Sequence, residues 1–307
     1  MAGFRFGIRQ ALALETHNNL EDVRWGLTAL DPVKRRLRYG AFAASDGEQI
    51  PYRLWLPRRP KAAILLLHGC CDYSGAFDSV GAKLARSGFA ALAYDQRGFG
   101  ATRARGTWAG EDRLVRDVRD AAAFFRRRIG QDLPLFVLGE SMGGAVALHA
   151  AARGLEASGL VLVAPGALAS SFRRSLYSWI LYGARKLVGE AELVVERLDS
   201  SDLSATDAIR LLGDPLVMRS ITTAMLDGVI ALAYSAVETA RRVAMPTLTM
   251  VGRKDDLLRR ECILELHNNL AGPKAWAEIE DGPHLLLHWT RSNEVLRTAR
   301  RWIERHL

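Results

Sequence analysis

Ser141 stands in Gly139-Glu140-Ser141-Met142-Gly143, a G-x-S-x-G pattern, and its flanks give that pattern a structural context. Leu135-Phe136-Val137-Leu138 runs into it as a short apolar strand, and Gly144-Ala145-Val146-Ala147-Leu148-His149-Ala150-Ala151 leaves it as a small-residue helix. A sharp strand-to-helix turn lifts a serine Oγ off a sheet, and the glycines leave room for backbone that a Cβ would block. The chemistry open to such a residue is nucleophilic attack. A serine hydroxyl is a weak nucleophile until a histidine takes its proton, and that histidine needs an acid to orient it.

The acid and the base are sought downstream of the serine. Thr247-Leu248-Thr249-Met250-Val251 reads as a buried strand ending in Gly252-Arg253-Lys254-Asp255-Asp256. An acid at the C-terminal end of a strand lies where open α/β sheets keep their chemistry. Asp255 is the expected orienter. Asp256 is the alternative, and a solvated charged turn is the plain reading of the pair. Ala275-Trp276-Ala277-Glu278-Ile279-Glu280 alternates like the next strand, and Asp281-Gly282-Pro283-His284 turns after it, which makes His284 the expected base. His288, four residues on, is expected to pack or to face solvent.

A fourth element is His68-Gly69-Cys70-Cys71-Asp72, directly after the apolar run Ala62-Ala63-Ile64-Leu65-Leu66-Leu67. Where a serine elbow works in acyl transfer, one oxyanion-hole amide follows the nucleophile and the other comes from the loop after the third strand. The backbone N–H groups of Met142 and Cys70 take these places. His68 reads as a residue that braces the loop.

These segments resemble the α/β-hydrolase superfamily, and within it the monoacylglycerol lipase and bacterial lysophospholipase branch. The likeness also rests on Tyr73-Ser74-Gly75-Ala76-Phe77, Ala93-Tyr94-Asp95-Gln96-Arg97-Gly98-Phe99-Gly100, Asp214-Pro215-Leu216-Val217 and Gly282-Pro283-His284, and it spans about residues 40 to 307. H-G-x-x-[DE]-x-S-G-x-[FY] and D-x-x-G-x-G beside the elbow point to that branch. The resemblance implies a triad of Ser141, Asp255 and His284 and an oxyanion hole at Cys70 and Met142. It further implies a carboxylic-ester hydrolase for single-chain lipids, working without metal or cofactor. A serine aminopeptidase-type peptidase and a short-chain esterase share the core and remain alternatives; a non-catalytic acyl-binding protein is the competitor from another class. A peptidase needs carboxylates for a free amine, and Glu190, Glu192 and Glu196 are candidates whose spacing also suits a solvated helix face. Two cysteines after His68-Gly69 depart from the usual residues, which makes thiol chemistry beside the serine possible.

The elements that must position these groups follow from periodicity. Paired strands begin near Leu37, turn at Asp46-Gly47 and return through Tyr52-Arg53-Leu54-Trp55-Leu56. Strands then alternate with helices, including a helix over residues 111–128, which predicts a mainly parallel eight-stranded sheet covered on both faces. Gly98-Phe99-Gly100 lacks the further glycine and lysine of a phosphate loop and reads as a turn. Residues 1–36 form an N-terminal extension, residues 37–166 and 244–307 two parts of one core, and residues 167–243 a helical cap or lid. Within the cap, residues 172–182 combine aromatics and aliphatics with nearby Arg185 and Lys186. They suit either a lid helix touching a membrane surface or a cap helix burying its apolar side. Met225-Leu226-Asp227-Gly228-Val229-Ile230-Ala231-Leu232 suits the wall of a pocket for an acyl chain.

Composition sets outer limits. With 307 residues, 49 % of them hydrophobic, the chain can bury a large core. No run of 18 apolar residues exists in it, so no transmembrane helix is expected. The N-terminus lacks a continuous apolar stretch, and three cysteines do not make a secreted disulfide framework, so a cytoplasmic location is expected. The net charge of +8 is compatible with an anionic surface, yet clusters such as Arg126-Arg127-Arg128 read as solvated helix faces. No nucleic-acid module is visible, so no nucleic-acid partner is expected.

Overall fold

The computed structural model describes residues 37–168, 191–194 and 202–307. Its sheet opens with β1 (Leu37–Ala43) and β2 (Gln49–Trp55), an antiparallel pair whose turn carries Gly47 at φ 86°. The strands β3 (Ala62–Leu67), β4 (Phe89–Tyr94), β5 (Leu135–Glu140) and β6 (Gly159–Val163) are buried at every residue. That continuous burial is what parallel strands covered on both faces require. Two short strands follow, β7 (Glu192–Val194) and β8 (Ser220–Thr222), and the main sheet resumes with β9 (Thr247–Gly252) and β10 (Lys274–Ile279). The order across the eight-stranded sheet is β1-β2-β4-β3-β5-β6-β9-β10. Only β2 runs against the rest, pairing antiparallel with β1 and β4.

Strand alternation sends neighbouring side chains into two separate layers. Leu65 and Leu67 pack into one core with α2 (Glu111–Ile129), α3 (Met142–Ala152) and other helices on that face. Ile64 and Leu66 point the other way, into a core shared with α1 (Asp78–Arg86) and with the C-terminal helix. In α2 the residues Leu114, Val118, Ala121 and Phe125 recur at helical spacing on the buried side, while three arginines occupy the last turn. Gly130 ends this helix at φ 110°, close to the expected boundary.

The expected cap is less uniformly helical than its periodicity implied. It contains α4 (Ala205–Gly213) and α5 (Thr223–Thr239), but also β7 and β8, paired antiparallel as a separate small sheet. Strands of three residues are too short to leave a period in the sequence. Ser204 and Thr222 cap α4 and α5 by accepting from the backbone N–H groups of Asp207 and Met225. The chain returns to the core through α6 (Arg260–Asn269) and ends with α7 (Ser292–Glu304), which buries Val295, Ala299 and Trp302 against the sheet. The N-terminal extension, the candidate lid helix at 172–182, and Glu190 and Glu196 lie outside the described residues. Among the described residues no helix is long and apolar enough to cross a membrane.

Candidate active site

The elbow is fixed by backbone crowding. Ser141 adopts φ 52° and ψ −120°, a conformation that side chains rarely occupy, at the junction of β5 and α3. A Cβ at Gly143 would lie 2.2 Å from the Leu67 carbonyl oxygen, and one at Gly139 would lie 2.3 Å from that of Gly143. Both positions must therefore be glycine for the turn to close against β3. Strain of this kind persists only where the surroundings hold it. Here the Ser141 N–H donates to the Val163 carbonyl at 2.9 Å, and the Ser141 carbonyl accepts from Gly166 at 2.8 Å.

Three side chains from the C-terminal ends of parallel strands meet at this point. The Ser141 hydroxyl donates to His284 Nε2 at 3.0 Å, and His284 Nδ1 donates to Asp255 Oδ2 at 2.8 Å. Asp255 follows β9 and His284 follows β10. Asp255 is itself held by the N–H groups of Leu257 and Leu258, which donate to its Oδ1 at 3.0 and 2.9 Å. Both partners are nearly dry, with side chains 2 % and 4 % exposed. The neighbouring Asp256, the alternative orienter, is exposed instead.

The loop after β3 faces the same serine. A Cβ built on Gly69 would touch Ser141 Cβ at 3.4 Å, so this loop runs against the elbow. Met142 opens α3, and the first amides of a helix lack intrahelical acceptors. Among the described residues no acceptor occupies the Cys70 amide. His68 braces the loop as expected: its Nε2 accepts from the Gln96 N–H at 2.9 Å, which leaves Nδ1 to donate to the Gly69 carbonyl at 2.8 Å. Complete burial pushes the His68 pKa down, consistent with this neutral ring. Asp95 ties the next two turns together by accepting from Ser74 N–H and Ala101 N–H at 2.9 and 2.8 Å. Gly98 and Gly100, at φ 91° and 56°, form the turn expected there.

A buried chain of charges runs beside the triad, and it is not evident from the sequence. His288 does pack inside, but as an ion: Nε2 meets Glu140 Oε2 and Nδ1 meets Asp207 Oδ1, both at 3.0 Å. Burial alone would lower its pKa, yet the Glu140 charge and hydrogen bonds to Asp207 and Glu140 outweigh burial and raise it to about 10. The ring therefore carries both protons and donates from both nitrogens. Asp207 lies beside Arg210 on α4, and Arg210 forms a fork with Asp72 in which Nη2 meets Oδ2 at 3.0 Å. Burial would raise the Asp72 carboxyl, but the Arg210 charge and hydrogen bonds bring it below its ordinary value. Glu140 Oε1 also accepts from the Leu287 N–H at 3.0 Å. The chain thus links the elbow, the turn after His284, α4 and the loop after β3. A glutamate ending an apolar strand and a histidine inside Leu285-Leu286-Leu287-His288-Trp289 were the available signals.

A cavity of about 730 Å³ opens over Ser141 and His284. Its walls are mostly aliphatic, including Leu211, Leu212, Met218, Ile221, Leu226 and Ile230 from the cap region and Leu258 from the core. Val229 and Ile230, within the stretch expected to wall a pocket, are among its lining residues. Asp72 and Glu140 are also in the wall, but each is already paired with a cation.

Comparison with known proteins agrees with this architecture. The model of the serine aminopeptidase S33 family matches residues 58–288. The chain is 28 % identical over 279 residues to the monoglyceride lipase of Rattus norvegicus, covering 86 % of this chain and 89 % of that protein. It is 26 % identical over 281 residues to the monoacylglycerol lipase of Mycolicibacterium smegmatis, covering 87 % and 97 %. A crystal structure of a soluble variant of the Saccharomyces cerevisiae monoglyceride lipase, in complex with a substrate analogue, shares the fold. Its TM-score is 0.74 at 19 % identity, with 88 % of this chain and 95 % of that one covered. On a family match over most of its length and on the sheet, elbow and loop order described above, the chain belongs to the serine aminopeptidase S33 family of α/β-hydrolases, on its monoacylglycerol lipase-like branch.

Proposed function

We propose that this protein is a serine hydrolase that cleaves carboxylic esters of single-chain lipids, monoacylglycerols or lysophospholipids, through an acyl-enzyme. The observation that carries the proposal is the Ser141–His284–Asp255 hydrogen-bonded chain opening into a predominantly aliphatic cavity of about 730 Å³. Cavities of this size and lining suit an apolar ligand of comparable bulk. The relatives named as monoglyceride and monoacylglycerol lipases support the same substrate class.

In this mechanism Ser141 Oγ attacks the ester carbonyl while His284 Nε2 takes its proton. Asp255 keeps the imidazole in the tautomer with Nδ1–H and balances the positive charge that forms. The amides of Cys70 and Met142 stabilise the tetrahedral oxyanion, each donor contributing about 3 kcal/mol of barrier lowering. The imidazolium then protonates the leaving alcohol. Water, deprotonated by the same histidine, releases the fatty acid. All these steps use side chains and amides of the chain itself, with no metal or cofactor.

Residues 37–166 and 244–307 serve in this reading as the catalytic core, residues 167–243 as the cap and residues 1–36 as an extension. Ile209 and Leu212 on α4 are 73 % and 60 % exposed, and Leu212 also lines the cavity. Such residues suit transient contact between the cap and a lipid surface, for a cytoplasmic protein that meets membranes peripherally. A peptidase would need an unpaired carboxylate to hold a free amine. Asp72 and Glu140, the cavity's described carboxylates, are instead neutralised by Arg210 and His288.

The test is hydrolysis of p-nitrophenyl esters of increasing chain length, beside monoacylglycerol and lysophosphatidylcholine, by the wild type and Ser141→Ala. Turnover of medium or long chains, abolished in a folded Ser141→Ala protein, is expected. Esterase activity retained in that variant, or turnover limited to aminoacyl-arylamides, would overturn the proposal.

A further inference from the structure

Cys70 and Cys71 are adjacent in the loop after β3, line the cavity, and hold their Sγ atoms 3.6 Å apart. Both are half-buried and neither is in a disulfide, whereas Cys262 is 8 % exposed within the core. Adjacent side chains of an extended backbone point to opposite sides. Cys71 departs from that geometry at φ 67°, in the left-handed region, and the two thiols face one another. A cysteine contributes little by packing that another small residue would not, so its reactivity is the property to examine.

We propose that Cys70 and Cys71 form a vicinal dithiol that hydroperoxides oxidise to a disulfide, reversibly disabling the adjacent site. The inference rests on the ester-hydrolase reading for its consequence, though not for the thiol chemistry. One thiolate attacks an oxygen of the hydroperoxide; the O–O bond breaks, leaving a sulfenic acid and an alcohol, or water from hydrogen peroxide. The second thiolate attacks that sulfur, forming S–S and breaking S–O, and hydroxide departs to be protonated to water. The two thiols lose two electrons and two protons, and the peroxide is reduced.

Ring closure has a mechanical consequence. A disulfide needs the sulfurs at about 2.05 Å, roughly 1.5 Å closer than the present 3.6 Å. The closed ring includes the Cys70–Cys71 peptide, so the torsions on both sides of that peptide must change. The loop resists at its far end, where the Cys71 carbonyl accepts from the Met218 N–H at 2.8 Å and Asp72 is forked to Arg210. Displacement therefore falls on the Cys70 side, where Gly69 lies against Ser141 and where the proposed function places an oxyanion donor at the Cys70 amide.

The experiment treats the purified full chain with hydrogen peroxide and follows p-nitrophenyl ester turnover, fluorophosphonate labelling of Ser141 and peptide mass. The expected result is a fall in turnover of about a hundredfold or more in the oxidised fraction, the size of losing an oxyanion donor. It should track a mass decrease of two hydrogen atoms on the peptide carrying both cysteines, with recovery in dithiothreitol. Cys71→Ser, each sample compared with its own untreated rate, should lose that recovery as peroxide carries Cys70 on to the sulfinic acid. Complete disulfide formation with unchanged turnover, absence of the disulfide, or inactivation and recovery of Cys71→Ser like the wild type would each overturn the proposal. Untreated protein that neither hydrolyses esters nor labels at Ser141 would instead remove the parent reading, while the peptide mass would still report on the dithiol.

Discussion

Replacing His288 by alanine tests the buried charge chain that holds the His284 turn to the elbow. The substitution leaves Glu140 and Asp207 facing each other without their shared cation, with side chains only 2 % and 11 % exposed. Removing one partner of a buried ion pair costs about 3–5 kcal/mol, because the remaining charge keeps its desolvation penalty. For a chain of this size each kcal/mol corresponds to roughly 2 °C in Tm, so a fall of about 6–10 °C is expected. The pH dependence adds a second signature. The folded-state pKa of His288 is raised from 6.5 to about 10, so its stabilising contribution is fully present below about pH 6.5 and is lost as pH rises toward 10. The difference in Tm between wild type and His288→Ala should therefore be largest near pH 6 and shrink as the pH approaches 10. Differential scanning fluorimetry of both proteins from pH 6 to 10 measures this, and subtracting the two curves removes the groups that titrate alike in both proteins. A variant melting within 2 °C of the wild type at pH 6, or a difference that stays constant to pH 10, would refute the ionic account of this residue.

Two further outcomes are expected. Asp255→Asn should keep its fold, with Tm within a few degrees of wild type, but lower kcat by about 10³–10⁴-fold, because the amide no longer holds the Nδ1–H tautomer; steady-state kinetics on a soluble ester measures it, and a loss under tenfold would show that His284 is oriented by something else. Ile209→Asp should weaken co-sedimentation with phospholipid vesicles about tenfold or more, since burying an aliphatic side chain in lipid is worth roughly 1.5–3 kcal/mol. Turnover of a water-soluble short ester should not change, and equal vesicle binding would exclude α4 from the lipid contact.

Much of the site was legible because local sterics wrote it into the sequence. A Cβ at Gly139 would meet the Gly143 carbonyl within the elbow itself, so that glycine is legible from its own turn, whereas Gly143 is required by the Leu67 carbonyl of β3. The parallel strands announced themselves as unbroken apolar runs, since burial on both faces removes alternation. Asp255 and the loop after β3 could be placed because each follows a strand buried at every residue, and His284 because it follows an alternating strand, β10, which is only partly buried. The cap was harder. The three-residue strands β7 and β8 have no period to detect, and their pairing joins segments far apart in the chain.

The sequence by itself determined the element order, the elbow and the type of chemistry, because those depend on backbone room and on neighbours a few residues away. It left the choice between Asp255 and Asp256 open, for both stand in one turn. Tertiary structure decided it, by directing Asp255 at His284 and leaving its neighbour in solvent. The same holds for His288. Whether that ring is neutral packing or a buried cation depends on Glu140 and Asp207, 148 and 81 positions away in the chain. Only folding sets the distances between such groups, and the energy of buried charges turns on those distances and on the water excluded around them.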